Sequence, residues 1–105
     1  MPNMHTHYLV RNVIGTTGRQ CRCGYWLDHW DKHAGQNSRR KRCSAFGCSE
    51  PVADGAHVIL LDNLHDWSNY IVPLCSGCNH RGCDFWINKN VVLVPANTQE
   101  LGCYL

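Results

Sequence analysis

A chain of 105 residues with 44% hydrophobic and 10% aromatic content has room for one packed domain and none for a second independent core. The formal net charge of +2 is too small for the bulk field to gather nucleic acid, so any such contact has to be local. No run approaches the roughly 20 apolar residues of a membrane span, and Met1 to His5 lacks the charged and apolar regions of a secretory signal. The expected setting is therefore cytoplasmic and reducing, where eight Cys beside seven His read as metal ligands, zinc foremost, in preference to four disulfides.

In chain order, Tyr8 to Ile14 is a β-prone run, and Gly15-Thr16-Thr17-Gly18 suits a turn. Tyr25 to Gly35 has helical spacing: Trp26 and Trp30 fall one turn apart, and Gly35 is placed to stop the helix. Residues 36–42 are polar and then basic without apolar periodicity, which predicts an exposed connection. Cys43 to Cys48 reads as a knuckle-like loop, Ala56 to Leu61 as a strand, 62–69 as a polar loop and Tyr70 to Leu74 as a second strand. Asn79 to Asn88 is expected to begin a helix weakened by Gly82, and Val91 to Val94 to form a last strand. The fold class that follows is α+β, a single domain over 1–105 in which 1–38 embellish a zinc unit over 39–105.

Cys43-x4-Cys48 and Cys75-x2-Cys78 are two chelating pairs, each able to bring two sulfurs to one ion through a tight turn. Four thiolates fill a tetrahedral shell and leave no open position, so this site is assigned a structural role; the alternative is four unligated thiols in a small core. A second site would join Cys21, Cys23 and Cys103 to His29 or His33, which stand at i and i+4 on one helix face. The competing reading makes the two imidazoles ordinary helix residues and the three cysteines free thiols or a redox pair. Cys83 has no evident partner.

The stretch Gly55-Ala56-His57-Val58, then Tyr70-Ile71-Val72-Pro73-Leu74-Cys75-x2-Cys78-Asn79-His80, preceded by Cys43-x4-Cys48, resembles the HNH endonucleases, the treble-clef branch of the ββα-metal nucleases. The likeness covers about residues 43–90. It implies a treble-clef ββα-metal core and metal-dependent hydrolysis of phosphodiester bonds in DNA or RNA. His57 then matches the general base that deprotonates a water, Asn79 or His80 the ligand of a divalent cation such as Mg²⁺, and Asn69 the middle Asn of the motif. An imidazole near its ordinary pKa of about 6.5 suits that base, and a hard cation suits the developing negative charge. Two positions depart from the family. Ala56 stands where an acidic metal ligand is common, leaving Asp54, Asp62 or Asp66 to supply a carboxylate, and Asn69 is one position further from Cys75 than expected.

Arg39-Arg40-Lys41-Arg42 places four cations beside the first knuckle, where they can contact phosphates or remain a solvated loop. Trp26, Trp30, Trp67 and Trp86 can stack bases if exposed, but in so small a core they are expected mostly inside. Two functions remain open from sequence: an HNH-like nuclease, and a catalytically inactive zinc module that binds nucleic acid or a protein partner.

Overall fold

The computed structural model describes residues 2–13, 25–62, 66 and 68–96. Its elements are β1 (His7–Asn12), α1 (Trp26–Ala34), a 3-10 turn (Ser38–Arg40), β2 (Asp54–Leu60), β3 (Tyr70–Leu74), α2 (Ser76–Asn79), β4 (Phe85–Asn88) and β5 (Val94–Pro95). The strands form one sheet in the order β4-β1-β2-β3-β5, and every pairing is antiparallel. The class is α+β. The N-terminal strand lies inside the sheet, hydrogen-bonded to β4 through Tyr8↔Ile87 and to β2 through Val10↔Leu60.

Side-chain alternation divides the sheet into two apolar faces. On one face Val10, Ala56, Val58, Val72, Leu74, Phe85 and Ile87 pack with the thiols of Cys43, Cys75 and Cys78. On the other, Ile71 and Val94 meet Trp30 of α1, with Trp26, Ala34 and Ala96 at the margin. β3 shows the logic: Val72 and Leu74 point to the first cluster and Ile71 to the second, so all three are buried. That two-sided burial explains why Tyr70 to Leu74 reads as a nearly continuous apolar run.

Helix α1 follows the spacing of its tryptophans. Trp30 is 1% exposed and its indole N–H donates to the Val92 carbonyl at 2.8 Å. Gly35 caps the helix in the left-handed conformation, its N–H donating to the Asp31 carbonyl. Asp31 also receives the Ser38 amide at 2.9 Å, which ties the 3-10 turn to α1.

Two expected elements differ. Residues 79–88 do not form a helix: α2 ends at Asn79, and Phe85–Asn88 become β4, because Phe85-Trp86-Ile87 fit a pleated edge beside β1 and bury Phe85 and Ile87. The last strand begins only at Val94, which pairs with Ile71, while Val91 closes a turn in which its own amide donates to the Asn88 carbonyl. The turn expected at Gly15–Gly18 lies outside the described residues. Among those that are described, no helix is long and apolar enough to cross a membrane.

Candidate functional site

The chain turns back on itself between Cys43 and Cys48. The Cys48 amide donates to the Ala45 carbonyl at 3.0 Å, and Gly47 takes φ +81°, a conformation that other residues adopt only under strain. The Cys43 N–H donates to the Glu50 carbonyl, closing the loop on itself, and the Ser44 N–H donates to the Pro73 carbonyl, tying it to β3. After the β2–β3 hairpin, Cys75 stands at the N-cap of α2 with its sulfur accepting the Cys78 amide at 3.4 Å. Asn12 of β1 clamps that turn from below, its Nδ2 donating to the carbonyls of Cys78 at 2.9 Å and Arg81 at 3.1 Å.

These constraints bring Cys43, Cys48, Cys75 and Cys78 together, with all four sulfurs within 4.8 Å of one another. A sulfur tetrahedron around an ion at about 2.3 Å has edges of about 3.8 Å, and Cys48 and Cys75 are 3.8 Å apart. Burial pushes the thiols of Cys43 and Cys78 up, while the Cys78 N–H holds Cys75 down. Thiolates this close repel one another in a poorly solvated site unless a cation sits among them. The cluster fits a metal ion on both distance and charge. No disulfide links the described cysteines, and Cys83 is exposed on the α2–β4 connection.

A second arrangement forms at the Asp54 end of β2. Pairing with β1 stops at Asn12↔Val58, with one further bond from the Val13 amide to the His57 carbonyl, so among the described residues nothing pairs with Asp54–Ala56 on that side. Here α2 approaches from the thiol face and the N-terminus of α1 from the other. Between them opens a cleft of about 490 Å³ lined by Tyr25, Trp26, Leu27, Ala53, Asp54, Gly55, His57 and Asn79. His57 is 4% exposed, and its ring meets Trp26 edge-on at 4.5 Å. Asn79 donates from Nδ2 to Asp54 Oδ2 at 3.3 Å. Tyr25 stands at the mouth, 83% exposed.

Of the residues singled out from sequence, His57 and Asn79 thus share this cleft. Asn69 and His80 are not in its lining: Asn69 uses its carbonyl to accept the Ala96 amide, and the exposed His80 lies 2.7 Å through Nδ1 from the Ser76 carbonyl. Asp54, one of the three carboxylates considered in place of Ala56, lines the cleft from two residues earlier on the same face of the strand. Asp62 and Asp66 are engaged elsewhere, with the Leu9 amide and the Tyr70 hydroxyl. The contribution of Trp26 and Gly55 was not legible in the motif, because both act through contact between α1 and β2, and that of Tyr25 because it lines the cleft only as the N-cap of α1.

The residues proposed for a second metal divide. Cys21, Cys23 and Cys103 lie outside the described residues, as does Trp67. His29 is fully buried and its Nε2 is 3.0 Å from the Pro95 carbonyl, so that nitrogen carries the proton and donates it. Its ring lies 4.6 Å from that of His33. Burial holds the His29 pKa below its ordinary value. Arg39, Arg40, Lys41 and Arg42 are all exposed, and none lines the cleft of His57. No protein-family model, curated protein or solved structure matches this chain.

Proposed function

We propose that the chain is an HNH-like nuclease, a treble-clef domain held by one zinc ion, that hydrolyses phosphodiester bonds with the help of a second, hard divalent cation. The observation that carries this reading is the meeting of His57, Asp54 and Asn79 in one cleft. The order of knuckle, β2–β3 hairpin and one-turn helix, with Cys75 at its N-cap and Cys78 within it, supports the treble-clef reading. Zinc is the ion that four thiolates in a closed shell suit best, three of them buried and Cys48 half-buried, and its role is to hold α2 against the hairpin.

In this reading His57 takes a proton from the attacking water, with Trp26 fixing the plane of the imidazole. Asp54 and the amide oxygen of Asn79 present a carboxylate and a neutral oxygen to the cation, ligands of the hard kind. The cation, when bound, stabilises charge on the phosphate oxygens and the leaving group. Asp54 and Asn79 keep each other oriented through their hydrogen bond, and the burial of His57 limits its access to bulk water.

A second reading has its own observation. His57 is almost wholly buried against Trp26, as a purely structural histidine would be, and Ala56 offers no ligand. The chain would then be a zinc module that binds nucleic acid or a protein partner without cutting.

The deciding experiment incubates supercoiled plasmid and single-stranded RNA with the zinc-loaded protein in Mg²⁺, Mn²⁺ or Ni²⁺ and without added divalent metal. His57→Ala and Asp54→Asn variants, shown by circular dichroism to be folded, run alongside. Metal-dependent cleavage that falls about 10²-fold or more in His57→Ala is the expected result. Absence of cleavage in every metal by folded, zinc-loaded protein refutes the nuclease and leaves the binding module.

A further inference from the structure

A second cleft, of about 440 Å³, lies on the other flank of α1 and shares no residue with that of His57. Trp30, 1% exposed, and Pro73 form its floor. Lys41, Arg42, Gln36, Asn88, Asn90 and Ser44 supply its polar wall. We propose that this cleft binds a phosphate group, and that Lys41 and Arg42, but not Arg39 and Arg40, are the cations that hold it.

Three observations carry the assignment. First, the polar lining of the cleft is two cations, three amides and a hydroxyl with no carboxylate, and the one thiol beside them, Cys43, belongs to the sulfur cluster. Among the described residues the one ion pair is Arg11 with Asp84, so neither Lys41 nor Arg42 is neutralised by a neighbouring acid. A wall of N–H and O–H donors around paired cations suits a tetrahedral oxyanion and disfavours a cationic or carboxamide ligand.

Second, the walls rest on fixed backbone. Arg42 forms a β-bridge with Pro51 and Lys41 donates its amide to Ser38, immediately before Cys43 enters the metal cluster. Asn88 accepts the Asn90 amide through Oδ1 at 2.9 Å, so its Nδ2 is left as its donor. Two long side chains on anchored backbone lose less freedom on binding than the same chains on a flexible tail.

Third, the basic run is split by its own geometry. Arg39 and Arg40 belong to the 3-10 turn that Asn37 caps, and neither contributes to the cleft wall. The phosphate source can be a nucleic-acid backbone or a free phosphate compound. The chemistry of the site is the same for both, and it does not depend on His57 performing hydrolysis.

The test measures binding without added divalent metal, so that cleavage plays no part. Fluorescence anisotropy follows a labelled 12-nucleotide single strand and a duplex of the same length, and calorimetry follows inorganic phosphate and adenosine monophosphate. Lys41→Gln/Arg42→Gln is expected to weaken the probe that binds at least tenfold and, for an oligonucleotide, to flatten the salt dependence by about 1.5 in log K against log salt. Arg39→Gln/Arg40→Gln is expected to cost less than threefold, and Lys41→Arg/Arg42→Lys to restore most of the affinity. Oligonucleotide binding identifies a backbone site, and binding of the small phosphates alone a site for a free ligand; both support the assignment. Equal losses in the two double glutamine variants, or no binding of any probe at low salt, overturn it. Loss of cleavage in His57→Ala with this binding intact separates the two clefts.

Discussion

The two faces of the β2–β3 hairpin are built by different means. On one, four thiols converge from two turns and make the sulfur cluster part of the apolar core of Val10, Val58, Val72, Leu74 and Ile87. On the other, Trp30, Ile71 and Val94 pack together where α1 meets the sheet, and the fit of helix to strand does what a bound cation would do on the thiol face. The first face gathers charge that has to be compensated; the second depends on shape. The His57 cleft lies on the seam, with Asn79 contributed by the thiol side and Trp26 by the helix side. Each face can therefore be disrupted separately, and the cleft should report which one has failed.

The largest effect is expected on the thiol face. A structural zinc in small domains contributes on the order of 10 kcal/mol or more, comparable to the whole stability of a domain this size. Cys78→Ser should give protein with less than one equivalent of zinc and no cooperative thermal transition, and a strong chelator should unfold the unaltered protein. Metal analysis beside circular dichroism checks both. A metal-free chain that melts cooperatively at the same temperature would show that the cluster is only a packed group of thiols.

Next in size is the helix face, at a single glycine. A Cβ on Gly55 would lie 2.5 Å from the backbone nitrogen of Leu27 and 2.5 Å from the carbonyl carbon of Trp26. The obstructing atoms are helix backbone, which cannot turn aside as a side chain can, so Gly55→Ala has to push the start of α1 off the strand. Overpacking of this kind costs roughly 1–3 kcal/mol. Zinc content should stay unchanged, while the Trp fluorescence changes as Trp26 leaves His57. If Gly55→Ala melts like the original protein with unaltered fluorescence, the close approach of α1 to β2 is not what positions the imidazole.

These two cases also mark how far the sequence could be read. The Cys43–Cys48 and Cys75–Cys78 spacings are local, and each predicts its own turn, so the cluster was visible before any fold. Trp26, Trp30 and Gly35 likewise state the helix, and Tyr70 to Leu74 the central strand, because burial on both faces leaves an unbroken apolar run. The stretch from Asn79 to Asn88 misled because nothing within it announces that Phe85, Trp86 and Ile87 will pair with β1 from the far end of the chain. Gly55 was unreadable for the same reason: its meaning is a contact with residues almost thirty positions earlier. Asp54 was one carboxylate among three, and its place in the cleft and its bond to Asn79 distinguish it.

The smallest effect sharpens the comparison, because acid should act first on the helix face. His29, fully buried, donates to the Pro95 carbonyl and so fastens α1 to β5, and burial holds its pKa below the ordinary 6.5. Below pH 6.5 the unfolded chain takes up a proton that the folded chain refuses, so stability is full above that value. It declines as pH falls toward the lowered pKa and is flat beyond it. Among the described residues the groups around this imidazole are His33 and Lys32 on its own helix, whose electrostatic effect disfavours a further cation, and the ring of Trp26, which lies between it and His57. His29→Gln keeps a donor for Pro95 and removes the titration, so its melting temperature should fall less between pH 7.5 and 5.5 than that of the original protein. Zinc content measured at each pH separates this loss from protonation of the thiolates, which acts on the other face. If the two proteins lose the same melting temperature while zinc stays bound, His29 is not the group through which acid loosens α1.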